Sequence, residues 1–167
     1  NLQAGTLFEN EYRKITLVNQ SFCNIFNIPA TPEQMIGYDC ATASEQSKTM
    51  MKDPDGFLHR IDEVLNIGDV VLNDELYLND GRVLERDYIP IRQNSTLLGH
   101  LWQYRDITTR KASEAALRMQ SAAFESFALP IIITDKEGHI QWVNPAFSKL
   151  TGYSTREAIG RTPGELL

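Results

Sequence analysis

An α+β domain is predicted for the first two thirds of this sequence: a five-stranded antiparallel sheet with helices on one face. Two observations carry it. The hydrophobic period is two at both ends of the segment and helical between them, so strands flank helices. Strands split in this way by helices pair antiparallel, with the helices on one side. A third observation, a partial internal repeat, predicts that a second, shorter copy follows.

The elements follow in chain order. Thr6–Phe8 and Lys14–Val18 form a hairpin around the polar Glu9-Asn10-Glu11. Asn19 caps a short helix that runs to Ile25, because its side chain accepts from free helix N–H groups. Thr31-Pro32-Glu33 opens another helical turn, with Thr at the cap and Pro at the first position. Pro54 starts the main helix: Phe57, Leu58, Ile61, Val64 and Leu65 make one apolar stripe, and Gly68 stops it. Val70–Leu78, Val83–Ile91 and Leu97–Ile107 are strands. Asn79-Asp80-Gly81 joins the first two as a tight turn. Residues 108–128 are rich in good helix formers, and Leu129-Pro130 ends the helix. Ile131–Ile133 then starts a strand, and Asp135–Gly138 turns.

The repeat is visible residue by residue. Val18-Asn19-Gln20-Ser21-Phe22 matches Val143-Asn144-Pro145-Ala146-Phe147, and Ile36-Gly37 matches Ile159-Gly160. The predicted division is a domain over 1–108, a linker helix over 109–128 and the N-terminal half of a second domain over 129–167. Lacking its last three strands, that half is expected to leave the edge strand Ile131–Thr134 disordered or borrowing a partner's edge.

Composition narrows the function. Of 167 residues, 42% are hydrophobic and 23% charged, enough to bury a core. The net charge of −6 argues against a nucleic-acid partner. The longest apolar run, near Phe127–Ile133, falls far short of the roughly 20 residues that cross a bilayer, and no signal peptide is seen, so no membrane contact is expected. Cys23 and Cys40 make neither a disulfide framework nor a zinc pattern, which fits a reducing cytoplasm. The chain begins with Asn1, as expected of a segment from a longer protein. No triad order, P-loop, HExxH or phosphate cradle is present, and Glu75, Glu85 and Asp87 are scattered along strands, so no enzyme is predicted.

A hairpin, then Val18-Asn19-x-x-Phe22, then Ile36-Gly37, then Asp80-Gly81 between two strands, then Arg105-Asp106-Ile107-Thr108-Thr109-Arg110-Lys111 resembles a PAS domain, over about residues 4–110. Trp142-Val143-Asn144-Pro145-Ala146-Phe147 through Thr151-Gly152-Tyr153 resembles the first half of another. The flavour is that of bacterial sensor histidine kinases. The resemblance implies a sensory module in which a ligand or partner perturbs the sheet and a terminal helix passes strain to an effector. The phosphorylated histidine and ATP-binding domain of such kinases are not in this sequence. Two alternatives stay open: a structural dimerisation module without ligand, and the input domain of a diguanylate cyclase.

Strand alternation gives the candidate pocket. Leu84, Arg86 and Tyr88 share one face, as do His100, Trp102 and Tyr104. The resemblance turns the Trp102/Tyr104 face towards a pocket under the helix of Phe57 and Ile61. Aromatic walls with a few polar tips suit an unknown small ligand, and Arg86 there could clamp a carboxylate. The plainer reading is an aromatic core, with Arg86 snorkelling to its edge. Glu85 or Asp87 would pair with Arg105 or Gln103 on the opposite face. At the strand–helix junction, Asp106 and Thr108 can accept from the first helical N–H groups and relay movement. Leu117, Phe124 and Phe127 are the candidate seam of a homodimer.

Flavin and haem are both disfavoured. Gly37-Tyr38-Asp39-Cys40 has the Gly-x-x-Cys spacing of flavin-binding LOV relatives, but Ala41-Thr42-Ala43-Ser44 replaces their Arg-Phe-Leu-Gln. Tyr104 stands where they carry glutamine, and Gln103 points to the other face. Cys40 reads as a small buried hydrophobe. For haem, His59 lies opposite the apolar stripe, His100 lies on a strand and His139 in a solvated turn. No metal site is predicted.

Overall fold

The computed structural model describes residues 4–166; residues 1–3 and Leu167, at the ends of the expected domains 1–108 and 129–167, lie outside the described residues. The chain divides into two compact units, Asn1–Lys111 and Ala112–Leu167.

In the first unit, β1 (Gly5–Asn10) and β2 (Ile15–Val18) form a hairpin. Next come α1 (Gln20–Ile25), α2 (Pro32–Met35), α3 (Cys40–Ser47), a 3₁₀ turn (Lys48–Met50) and α4 (Pro54–Ile67). Then β3 (Val71–Tyr77), β4 (Val83–Gln93) and β5 (Thr96–Asp106) complete an antiparallel sheet of order β2-β1-β5-β4-β3. This is the predicted α+β sheet of five strands.

Local chemistry explains the boundaries. Asn19 accepts from the Phe22 amide at 3.0 Å, and Asp53 caps α4 by accepting from Gly56 at 2.9 Å. Gly68 ends α4 in the left-handed region. Gly81, at φ 91°, closes the β3–β4 turn, where Arg82 N donates to Asp80 at 3.0 Å. Gly99 answers to packing: a Cβ there would stand 2.2 Å from the Glu9 carbonyl on β1.

Two expectations need correction. Glu9 belongs to β1, not to the turn, and alternation with Leu7 sends its side chain into the core, where it is fully buried. The helix α3 was not foreseen, because its run CATASEQS has no apolar stripe; the Asp39 cap, accepting from Thr42 N at 2.9 Å, is what starts it.

The core lies between the sheet and the helices. Leu7, Ile15, Val18, Leu84, Tyr88, Trp102 and Tyr104 from the sheet meet Cys23, Phe26, Met35, Cys40, Phe57, Ile61 and Val64. The helix α5 (Thr108–Ser126) starts two residues after β5 and ends just before Phe127, slightly short of the expected limit at 128.

The second unit holds β6 (Ile132–Thr134), β7 (Ile140–Val143), α6 (Pro145–Thr151), α7 (Thr155–Ala158) and α8 (Pro163–Leu166). The strand expected to be disordered or to borrow a partner's edge is ordered over Ile132–Thr134 and pairs with β7, because Ile140, Val143, Phe147, Ala158 and Leu166 give this unit a small core of its own. The repeat seen in sequence reappears as hydrogen bonds. The Asn19 carbonyl accepts from Thr6 N at 2.9 Å and from Phe22 N; the Asn144 carbonyl accepts from Ile131 N at 2.8 Å and from Phe147 N at 3.1 Å. Asn144 also donates to the carbonyls of Leu129 at 2.9 Å and Phe127 at 3.2 Å.

Asn144→Ala therefore removes a helix cap and strips the side-chain partner from the half-buried Ile131 amide just before β6. We expect it to destabilise the second unit by about 2–4 kcal/mol. Amide exchange at Ile131 and Phe147 should quicken while the first unit keeps its protection. Unchanged exchange at those two amides would refute the role given to Asn144.

Candidate functional site

Pleat alternation along β1, β4 and β5 gathers the site. Leu84, Arg86, Tyr88, His100, Trp102 and Tyr104 all point to the helix side, and all are buried. Phe57 and Ile61 descend on them from α4. Of these eight, Phe57, Ile61, Trp102 and Tyr104 line one cavity of about 50 Å³; Leu84, Arg86, Tyr88 and His100 lie off it. Leu7, Glu9 and Arg13 from the hairpin complete the cavity wall, with Phe22, Phe26 and four residues of α3, Cys40, Ala43, Ser44 and Ser47.

Glu9 is the residue that sequence reading missed. Its side chain is 0% exposed. Oε1 accepts from the Trp102 indole N–H at 3.0 Å and lies 2.9 Å from Nε of Arg13. The Arg13 Nε–H is not aligned to donate, and Glu9 Oε2 has no hydrogen-bond partner. The period-two run Gly5-Thr6-Leu7-Phe8-Glu9 was the signal that could have revealed it.

Arg86 is neither a free clamp nor a snorkelling edge residue. It is 1% exposed and paired with Asp74 on β3, a partner not foreseen. Asp74 also holds Arg60, 3.2 Å away. The Arg86 guanidinium lies 5.9 Å from the Phe57 ring and 5.5 Å from the Trp102 ring, so ring faces replace water around it. His100 Nδ1 stands 2.9 Å from Tyr88 Oη, and burial lowers the histidine's pKa, favouring the neutral ring. His59 and His139 are exposed. Among the described residues, no three His, Cys, Asp or Glu side chains gather as a metal site.

The opposite sheet face carries the expected cross-strand pairs. Arg105 sits 3.0 Å from Glu85 and 2.5 Å from Asp87. Helix α5 joins them: Arg110 reaches Glu85 at 2.7 Å and Lys111 reaches Glu75 at 2.5 Å.

At the junction, Asp106 accepts from the Thr108 amide at 2.9 Å and from its hydroxyl at 2.5 Å. Thr108 differs from expectation. Its oxygen accepts from Val83 N at 3.0 Å, on β4, rather than from a helix amide. Ile107 N donates to the Val83 carbonyl at 2.9 Å, so α5 is tied to the start of β4. Farther along, Leu117 is 64% exposed and Phe127 52%. Phe124 packs within the second unit, its ring 6.5 Å from Phe127 and 6.3 Å from Trp142.

A five-stranded antiparallel sheet with helices laid over a small inner cavity is the architecture of a PAS-like fold. Residues 3–109 match a family described as PAS domain, and the chain belongs to that family. Residues 118–167 match a family described as PAS fold. PAS domains are in general non-catalytic sensory domains.

The chain is similar to several solved structures at low identity. The sensor region of a sensor histidine kinase is 14% identical with a TM-score of 0.51, covering 64% of this chain and 40% of its own. A domain of an HTR-like protein from Haloarcula marismortui is 20% identical with a TM-score of 0.44, covering 63% and 98%. A sensory box sensor histidine kinase from Vibrio cholerae is 18% identical with a TM-score of 0.47, covering 64% and 84%. No curated protein matches the chain. Among the described residues, no helix is long and apolar enough to cross a membrane.

Burial also sets an alkaline limit. In the unfolded chain the Cys40 thiol titrates near 9.0 and the Tyr104 phenol near 10.0. In the folded chain burial, with Glu9 adding, pushes the Cys40 thiol well up. Burial, opposed by Arg86, pushes Tyr104 up to about 12. Above pH 9 the unfolded state therefore sheds protons that the folded state keeps, and stability falls as pH rises towards 12. Each group contributes at most about 1.4 kcal/mol per pH unit. Urea unfolding from pH 8 to 11 should show this decline, and Tyr104→Phe should flatten its part above pH 10. An equal slope in the variant would show that Tyr104 is not the group responsible.

Proposed function

We propose that this chain is a sensing and relay module of a bacterial cytoplasmic signalling protein, of the sensor histidine kinase type. A small ligand in the inner cavity shifts the sheet, and α5 carries the shift to an effector. Membership of the PAS family and the inner cavity support the sensing half of this reading. The observation that carries the relay half is the junction: Thr108 bonds Val83 on β4 and Asp106 on β5 at once, at the first turn of α5. A shift between those strands then acts on the helix through three hydrogen bonds and the Arg110–Glu85 ion pair. The second unit, matching the PAS fold, reads as the first half of a further PAS repeat next in the relay. A homodimer through α5 belongs to the same reading, because Leu117 and Phe127 leave apolar surface on and just beyond that helix. A diguanylate cyclase in place of the kinase would use the same input.

The test is Thr108→Val, which keeps the shape and removes the hydroxyl. Each lost bond is worth about 1 kcal/mol. The Val83 and Lys111 amides should exchange roughly tenfold faster, while the β5 amides of residues 100–104 stay protected. Thr108→Ser should restore both rates. A Thr108→Val protein with the exchange pattern of the parent would overturn the relay.

A further inference from the structure

The cavity contains one unmet demand. Glu9 is a fully buried carboxylate; the Cys40 thiol, a weak donor, interacts with it, and its Oε2 has no N–H or O–H partner. Burying an ionised carboxylate is costly unless its oxygens are met by charged donors. Arg13 meets that demand poorly. It approaches Oε1 alone, through Nε, without hydrogen-bond alignment. It does so from a turn where its own φ is 62°, in the left-handed region that a long side chain seldom adopts, and its side chain remains 24% exposed. Arg13 therefore reads as an internal stand-in on a carboxylate that can accept two parallel N–H bonds.

The surroundings define what would do better. Phe22, Phe57, Trp102 and Tyr104 present rings to the cavity, a setting that favours a flat organic cation over a hydrated metal ion. The neighbouring Arg86 is already neutralised by Asp74, so a displaced Arg13 must be replaced by one positive charge. The volume of about 50 Å³ limits size. A cavity of about 150 Å³ accepts benzene, so about 50 Å³ alone seats roughly two heavy atoms, and the rest of a small planar cation needs the space that a displaced Arg13 side chain vacates.

Resting on the sensory reading above, we propose that the cavity binds a small amidinium or monosubstituted guanidinium. Its two parallel N–H donors pair with both oxygens of Glu9 and displace Arg13. Charge-assisted bidentate pairing of this kind is the strong form of the carboxylate hydrogen bond. Binding frees Arg13 and relaxes the β1–β2 turn, so the ligand acts directly on the strand beside β5.

The Trp102 indole N–H, donating to Glu9 Oε1, is a built-in reporter. The experiment is a ¹H–¹⁵N NMR titration of the 167-residue chain with methylguanidinium chloride, tetramethylammonium chloride serving as a cation without N–H donors. Trp142→Phe assigns the indole signals. The proposal expects a saturable millimolar shift of the Trp102 signal with methylguanidinium and none with tetramethylammonium. Arg13→Ala, which removes the internal competitor from an exposed turn, should tighten binding about tenfold. Glu9→Gln should abolish the shift while its spectrum stays dispersed. If that variant fails to fold, Arg13→Ala still decides. No saturable shift in either the parent or Arg13→Ala overturns the proposal, as does an equal response to tetramethylammonium. The Thr108→Val exchange test uses no ligand, so the relay and this ligand assignment can fail separately.

Discussion

Strand β5 is the constraint on which the rest of the first unit depends. It is hydrogen-bonded on both sides, to β1 and to β4, so its pleat sets the facing of three strands at once. His100, Trp102 and Tyr104 go to the helices; Gln103 and Arg105 go to the other face. A slip of one residue would exchange those sets, placing Arg105 in the aromatic core and Trp102 in water. The cavity and the junction both follow from this register. Trp102 is opposite Leu7 and Tyr88, Glu9 is opposite His100, and Asp106 at the strand's end is opposite Leu84. The absence of a side chain at Gly99 lets β1 approach closely enough for the pairing to run its length.

Two ion pairs, each with one fully buried partner, sit on that scaffold, and their energetics differ. Arg86 donates to Asp74 across β3 and β4 through Nε and Nη2, its Nη1 being left without a hydrogen-bond partner, and Arg60 adds a second donor to the carboxylate. Such a pair adds little net stability over well-packed hydrophobic residues, since desolvation offsets most of the attraction, but removing one partner is severe. Its effect is to fix how β3 and the middle of α4 meet the sheet. Glu9 and Arg13 are less well matched. One oxygen is bonded by Trp102 and approached by Arg13, while the other is left without an N–H or O–H donor. A polar group incompletely satisfied inside a core is the arrangement that packing alone does not favour. That asymmetry sets the cavity apart from ordinary aromatic core.

The fold was legible because its signals are local. The Asn19 and Thr31 caps, the Pro54 start, the Asp80-Gly81 turn and the change from helical to alternating period each act within a few residues. Half of the candidate site was legible for the same reason: alternation alone puts Trp102 and Tyr104 on the face that α4 covers with Phe57 and Ile61. What was hidden depends on contacts far apart in sequence. Asp74 as the partner of Arg86 requires the β3–β4 register, which a bulge interrupts between Val71 and Asp74. Glu9 as a core residue contradicts its type, since the polar run Glu9-Asn10-Glu11 reads as a turn; the indole of Trp102 and the reach of Arg13 help make its burial tolerable. Helix α3 is short and polar, so its cap was the main cue to a helix that supplies one wall of the cavity.

The geometry also bears on how small a ligand can be and still act. Trp102 and Asp106 are four residues apart on β5, about 13 Å along one strand. In the proposed relay no separate pathway is needed between cavity and helix, because Trp102, which lines the cavity, lies on the strand that leads into α5. The bonds at the junction are each worth about 1 kcal/mol, and a bias of about 1.4 kcal/mol shifts a two-state balance tenfold. The best very small ligands reach about 1.5 kcal/mol per heavy atom. A cation of four or five heavy atoms thus has enough binding energy to displace Arg13 and still favour one arrangement of the junction. A larger ligand would add affinity that this relay does not require, and the cavity has no room for it.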